Sequence, residues 1–528
     1  MLTLTVFLSG AVLMSLEMVG SRILAPTFGS SIYIWGSLIV VVMAALTLGY
    51  YLGGRIADRY PNFLVIGIIL AVAGGFIGFL PFWTNRVNSI CGRLEPRLGS
   101  LLAACAFFFL PSILLATVSP YAVKLAGRNL ENLGNIAGRL SAISSTGSVI
   151  GTLVTSFFLI PLTGVRNIVH SLGLLLLLLA FLIIGRPAER DKPSSPVIIW
   201  VRRSVGLLVL VLIVLLVVCW RSNALRGVFS EAGVVYERDT LYNHVKVTQY
   251  SSLRYLRFDN SLQSGIDLND PLRMVFRYTS FLHLGVVAHP QPERVLFIGL
   301  GGGSAPMKFL HDYPSLKTVD AVEIDPEVVK VARTYFALPE DPRLRVVVQD
   351  GRLFIQQTAE KIARGEQAPY DLVVIDAYSS STIPYHLTTL EFLQEVREVM
   401  APDGVVVSNI IGAITGPASS MFRAMTRTFG AVFPQRYIFP VYGWGGVGDT
   451  AEQNIVLIAT LDPSYRPKAT WQEQAAELYA RGIIVEDVAF FARNLVDDPL
   501  VFQEAWLADV PLLTDDYAPV DTLHHPLL

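Results

Sequence analysis

Seven apolar stretches, each long enough to cross a bilayer, fill the first 222 residues of this 528-residue chain. A membrane helix needs about 20 consecutive, mostly apolar residues. The stretches lie near 3–25, 32–54, 62–83, 100–120, 136–161, 166–185 and 201–220, and the clearest are 66–82, 168–184 and 205–219. The first is read as a span and not as a secretory signal, because no basic segment precedes it and apolar character continues through six more stretches. Charged residues make up 16% of the chain, against about 25% in an ordinary soluble domain. That balance argues against a wholly soluble protein, and the apolar content excludes disorder.

The formal net charge of −2 hides two unlike halves. Residues 1–222 carry 16 Lys/Arg and 6 Asp/Glu, and residues 223–528 carry 25 and 37. The first half is therefore basic and apolar, the second acidic with ordinary soluble composition. The three cysteines, Cys91, Cys105 and Cys219, have neither disulfide nor metal spacing. No metal and no nucleic-acid partner is expected.

Two charges fall where a bilayer disfavours them, Glu17 and Arg22 in MSLEMVGSRILAP. Ionisable groups in membrane helices usually face the bundle interior and are paired. Glu17 is thus either a cation or amine site within the bundle, or a structural partner of Arg22 or of another helix. GGRIADR (53–59) reads as a short basic interhelical loop, similar to one in major-facilitator transporters. The basic loops 55–59, 124–139 and 186–203 would lie in the cytoplasm by the positive-inside rule. With seven spans that rule places the acidic half outside, whereas loop 86–97 favours the reverse.

After the last span, residues 233–266 alternate in VVYERDT, HVKVTQY and LRYLRFD, the pattern of a small antiparallel sheet. From Arg294 five strand-like runs alternate with helical stretches: VLFIGL, TVDAVEI, LRVVVQ, YDLVVID and GVVVSNI. Such alternation specifies a doubly wound, mostly parallel sheet, which binds ligands at the carboxyl ends of its strands. Those ends carry Gly299, Gly301, Gly302, Gly303 and Ser304, then Glu323, then Asp350 and Gly351, then Asp376 with the polar loop YSSSTIPYH. Glycines permit close backbone approach to a ligand. A carboxylate at the second strand end suits ribose hydroxyls, and one at the third suits an adenine amino group. Asp325 reads instead as a helix cap followed by Pro.

On these residues the stretch 253–412 resembles the polyamine aminopropyltransferases, spermidine synthase and its relatives. The similarity runs through VLFIGLGGGSAPMKFL, VDAVEIDPEVVKVAR, DPRLRVVVQDGRLFI, YDLVVIDA and MAPDGVVVSN. The whole chain resembles the bacterial class in which such a domain follows a multi-span membrane domain, and SRILAPTFGSSIYIWG and LTDDYAPVD fit that class. The resemblance implies aminopropyl transfer from decarboxylated S-adenosylmethionine to an amine such as putrescine, with release of methylthioadenosine and no metal. It implies that Gln263 touches the nucleoside substrate and Tyr278 lines the amine pocket. Glu323 would hold the ribose, Asp350 the adenine, and Asp376 would be the base. Three departures concern amine binding: Gly302 and Ser379 replace family acids, and Thr279 and Ser280 replace a His-Glu pair. Asp515 and Asp516 are candidate replacements. Alternatively the donor is S-adenosylmethionine itself, whose carboxylate would oppose an acid at position 302, used in methyl transfer or broken down to methylthioadenosine without an external amine. A transporter or sensor with a non-catalytic nucleoside-binding domain is the non-enzymatic alternative.

The expected architecture is a membrane α-helical bundle of about seven spans, a small antiparallel β subdomain and a Rossmann-like α/β domain of methyltransferase type. The expected boundaries are 1–222, 223–285 and 286–528. The expected location is the inner (plasma) membrane, in contact with lipid, with the C-terminal half in the cytoplasm where adenosyl sulfoniums are made. A homodimer fits the family resemblance.

Overall fold

The computed structural model describes residues 1–28, 32–127, 132–185, 196–221, 233–379, 382–442, 448–484, 488–497 and 504–524. The chain forms two compact units, Met1–Ala232 with Arg238–His244, and Gly233–Glu237 with Val245–Leu528.

The first unit is helical. Its helices are α1 (Leu2–Phe28), α2 (Ile32–Arg59), α3 (Phe63–Phe79), α4 (Thr84–Cys91), α5 (Pro96–Ala104), α6 (Leu110–Ala126), α7 (Leu133–Val154), α8 (Ile160–Thr163), α9 (Val165–Ile184) and α10 (Pro196–Arg221). Among the described residues seven helical stretches are long and apolar enough to cross a membrane, from Leu2–Ala25 through Ile199–Arg221. Small residues let these helices approach closely. A Cβ on Gly147 of α7 would lie 2.1 Å from the Phe7 carbonyl oxygen of α1, and one on Gly173 of α9 would lie 2.3 Å from Gly78 Cα of α3. Ser15 Oγ donates to Gly151 O, and Thr155 Oγ1 donates to Ser15 Oγ at 2.8 Å. The outer faces stay apolar: Phe157, Phe158, Leu207 and Leu208 are all exposed, an arrangement suited to lipid and unsuited to water.

Two sequence expectations change here. GGRIADR is not a loop but the last two turns of α2. Gly53 fits there because its α-carbon side abuts Thr117 of α6, where a Cβ would meet Thr117 Cα at 2.7 Å, and Asp58 pairs with Lys124. No hydrogen bond or ion pair joins Glu17 to Arg22 among the described residues; the Arg22 guanidinium instead donates to the Leu241 carbonyl.

After the helices the chain forms two sheets. Strands β1 (Val234–Asp239), β2 (His244–Tyr250), β3 (Leu253–Phe258) and β4 (Ser261–Asp267) form a four-stranded sheet in sequence order. The larger sheet contains β5 (Arg294–Ile298), β6 (Thr318–Glu323), β7 (Leu344–Val348), β8 (Tyr370–Ile375), β9 (Met400–Gly412), β10 (Gln435–Pro440) and β11 (Gln453–Thr460). Its order is β10-β11-β9-β8-β5-β6-β7. β5 through β9 pair in parallel, whereas β11 runs antiparallel to both β9 and β10. This is a Rossmann-like sheet whose order reverses between β5 and β8, the position at which such folds bind ligands. The five expected strands are all present. The antiparallel pair β10–β11 extends the sheet on one edge.

Val407 of β9 and Val456 of β11 share one face of this sheet with Leu282 and Val286, and Val406, Ile410 and Ile455 share the other with Phe392 and Phe422. The residues lie on strands buried on both faces, which explains their near-continuous hydrophobic runs.

Candidate active site

The turn after β5 is shaped by backbone demands. Gly299 (φ 101°), Gly301 (φ 54°) and Gly303 (φ 79°) all adopt left-handed conformations that favour glycine. A Cβ on Gly299 would stand 2.2 Å from the Asp376 carbonyl oxygen, so only glycine lets the ends of β5 and β8 meet. Asp376 N donates to Ile298 O at 2.9 Å and completes that junction.

Asp376 leaves the sheet at the reversal point with both carboxylate oxygens engaged. Tyr278, on helix α11 (Arg277–Phe281), donates its hydroxyl to Oδ2 at 3.0 Å. Asn409 Nδ2 donates to Oδ1 at 2.9 Å. Asn409 is itself held by Asn454 of β11, whose Nδ2 donates to Asn409 Oδ1 at 3.0 Å. Tyr378 donates to the Asn409 carbonyl at 3.1 Å and accepts from Ile411 N at 2.9 Å. Burial raises the Asp376 carboxyl above the ordinary range, and the Asn409 and Tyr278 donors partly oppose that rise. Burial, and then the adjacent Asp376 charge, push the Tyr278 phenol well above its ordinary value, so it stays protonated as a donor.

Glu323 ends β6 and is 8% exposed. Its Oε2 accepts from Leu300 N at 3.3 Å and its Oε1 from Asp325 N at 3.1 Å. Burial pushes its carboxyl up to about 7, with the backbone N–H groups of Asp325, Leu300 and Gly301 acting against burial. Asp325 behaves as a cap, accepting from Glu327 N at 2.9 Å.

Asp350 ends the β7 turn and caps the helix α12 (Gly351–Ala363), accepting from Leu353 N at 3.0 Å. Its other oxygen lies 3.0 Å from His386 Nε2. Gly351 is required by packing, because a Cβ there would come within 2.6 Å of Ile298 Cγ2.

Gln263 lies half-buried on β4. The neighbouring residues bring that strand to the glycine turn: Ser264 Oγ is 3.4 Å from Ser304 Oγ, which donates to Gly265 O at 3.3 Å. Ser379 is half-buried in the loop after β8 and its N donates to Thr382 O at 2.9 Å.

At position 302, where the resemblance implied an acid, a Cβ would meet Ser264 Oγ at 2.7 Å and Phe336 Cδ1 at 2.8 Å, so both side chains would have to shift to admit one. Thr279 and Ser280 are buried. The Asp515 carboxylate is engaged by an arginine and a threonine. Both of its oxygens accept from Arg352, at 2.7 and 2.8 Å, and one also accepts from Thr389. Arg352 also holds Glu395, so one guanidinium is shared by two carboxylates near the start of α12. Asp516 is exposed beside it.

Asn409, Asn454, Tyr378 and His386 were not legible as site residues in the sequence. Asn409 had one available signal: it is the next-to-last residue of the strand-like run GVVVSNI, close to the end at which such sheets bind ligands.

The fold and this constellation define a candidate site at the reversal point of a Rossmann-like sheet. Residues 275–443 match the family model described as a spermine/spermidine synthase domain. The chain is 29% identical over 301 residues to the polyamine aminopropyltransferase of Vibrio vulnificus, covering 56% of this chain and 92% of that protein. It is 32% identical over 182 residues to the human eEF1A lysine and N-terminal methyltransferase, covering 33% of this chain and 24% of that protein. It is 26% identical over 389 residues to the N-terminal histidine N-methyltransferase of Emericella nidulans, covering 68% of this chain and 65% of that protein. That share exceeds everything after residue 222, so the third similarity extends into the apolar half.

Proposed function

We propose that the C-terminal half binds an adenosyl sulfonium and transfers an alkyl group from it to an amine, with Asp376 as the proton acceptor. The donor is decarboxylated S-adenosylmethionine, the transferred group an aminopropyl chain, and the acceptor an amine such as putrescine. The observation that carries this reading is the carboxylate of Asp376 at the sheet reversal point, oriented by Tyr278 and Asn409.

An amine is protonated in water, with a pKa near 10, and must lose a proton to attack. A carboxylate beside the amine orients it and takes that proton. The nitrogen lone pair then forms a bond to the propyl carbon next to sulfur. The carbon–sulfur bond breaks with its electron pair moving to sulfur, which leaves as the neutral thioether of methylthioadenosine. Asp376 keeps the proton it took before the attack, and the alkylated nitrogen is left as a secondary ammonium. A sulfonium needs no acid to leave. Glu323 accepts hydrogens from the ribose hydroxyls and Asp350 accepts from the adenine amino group. Gln263 and Tyr278 position the substrates, and Gly299, Gly301 and Gly351 let the backbone come close. Ser379 borders the acceptor side.

The seven apolar helices anchor the protein as a multi-pass protein of the inner (plasma) membrane, with the catalytic half on the cytoplasmic side where the donor is made. Neither a metal nor a bound cofactor enters the scheme.

The Emericella similarity, which runs into the apolar half, favours a second reading. There S-adenosylmethionine gives its methyl group to an amine, and Gly302 leaves the donor's carboxylate unopposed. The product separates the two readings. Purified full-length protein is incubated with each donor and a panel of amines, and products are identified by mass spectrometry. Methylthioadenosine with an aminopropylated amine supports the first reading. S-adenosylhomocysteine with a methylated amine replaces it with the second, and no alkylated amine from either donor overturns both.

A further inference from the structure

We propose that Asn409 and Asn454 are positioning residues for Asp376, with Asn454 fixing the orientation of the Asn409 amide so that its N–H, and not its carbonyl, faces the carboxylate. The inference deepens the reading of Asp376 as base and rests on it for its functional meaning.

An asparagine amide presents a donor on one side and an acceptor on the other. Asn409 lies on β9, and its side chain reaches Asp376 at the end of the neighbouring strand. If the amide were flipped, its oxygen would face a carboxylate oxygen, a repulsive contact unless Asp376 were protonated. Asn454 decides between the two orientations. It pairs with Ile411 in the antiparallel register of β11 on β9, and its Nδ2 donates to Asn409 Oδ1 at 3.0 Å. The Asn409 backbone is fixed separately, because its carbonyl accepts from Tyr378, whose oxygen in turn accepts from Ile411 N. The antiparallel edge of the sheet therefore has a chemical task as well as a packing one.

The consequence is a carboxylate whose two oxygens each accept one donor, Asn409 and Tyr278. Each carboxylate oxygen has capacity for a second hydrogen bond, so both donors leave room for the incoming amine proton. Burial favours the protonated carboxyl, which would be useless as a base, and the two donors counter that tendency.

The test reads the ionisation of Asp376 directly, by infrared spectroscopy of the full-length protein. The carboxyl band is assigned as the one lost in Asp376→Asn. Asn409→Ala should raise the pH at which Asp376 ionises by about 1 or more, the scale expected for one hydrogen bond to a charged group. Asn454→Ala should raise it less. Asn454→Leu should raise it as much as Asn454→Ala, because leucine fills the same space without a charge but cannot donate. A merely space-filling role leaves the leucine variant at the wild-type value. An unmoved ionisation in folded Asn409→Ala, or an Asn454→Leu variant that titrates as wild type, overturns the proposal. Failure of the underlying reading looks different: Asp376→Asn would then retain full product formation whatever the asparagine variants do.

Discussion

The Tyr278 hydroxyl donates to Asp376 Oδ2 at 3.0 Å, joining a short helix to a strand end 98 residues later in the chain. The contact gives the phenol and the carboxylate opposite tendencies. The phenol is held protonated by burial and by the neighbouring negative charge, and the carboxylate is helped to ionise by the phenol. Tyr278→Phe removes one hydrogen bond to a charged group, a change of about 1.5–3 kcal/mol. The expected result is a roughly ten- to hundredfold fall in kcat with a smaller change in KM. The acid limb of the pH–rate profile moves to higher pH, because Asp376 is then harder to ionise. Steady-state kinetics across pH check both outcomes.

Glu323 sets a conflict between stability and binding. Its folded value, about 7, lies above the ordinary 4.5. The folded state thus holds this proton more tightly than the unfolded chain does. The stability associated with the group is fully present below about pH 4.5 and is lost as pH rises through 7. Glu323→Gln should raise the melting temperature at pH 8 and leave it nearly unchanged at pH 4. The gain at pH 8 is on the order of a few kcal/mol, because each tenfold difference in proton affinity between the folded and unfolded chain is worth about 1.4 kcal/mol. The same variant should bind methylthioadenosine at least tenfold more weakly at pH 8, measured by calorimetry.

Asp515 is expected to be structural. Arg352 holds its carboxyl below the ordinary range through direct hydrogen bonds. Asp515→Asn should leave the amine KM within about twofold of wild type. It should reduce stability by about 1 kcal/mol or less, since the group is substantially exposed. A large rise in amine KM would instead place Asp515 in the acceptor site.

An odd number of spans puts the chain's two ends on opposite sides of the membrane. A reporter fused to the C-terminus should be active in the cytoplasm, and a tag at the N-terminus should be accessible from outside. The reverse result would separate the catalytic half from its donor and would follow the charge pattern of loops 55–59 and 124–139.

The sequence made much of this visible for physical reasons. A helix that can cross a membrane needs about 20 apolar residues, so seven long apolar helices stand out, and parallel strands buried on both faces read as apolar runs. The strand-end rule drew attention to Glu323, Asp350 and Asp376 because each is a charge directly after such a run. Asn409 and Asn454 escaped because an amide carries no charge signal. Their contact also depends on the register of β11 against β9, across 45 residues of intervening chain. The pairing of Asp515 was hidden for a similar reason, since its partner Arg352 is 163 residues away. The helical state of GGRIADR was obscured by its glycine pair, of which Gly53 packs against α6 and neither marks a turn.

The most direct test of the account is product formation by Asp376→Asn. Full-length wild type and variant are incubated with decarboxylated S-adenosylmethionine and putrescine, and methylthioadenosine is measured. The account predicts release in step with aminopropylated amine by the wild type. It predicts a loss of at least about a hundredfold in the variant, the lower range for a general base, with adenosyl-ligand binding retained. No release by the wild type, or equal release by Asp376→Asn, would contradict it.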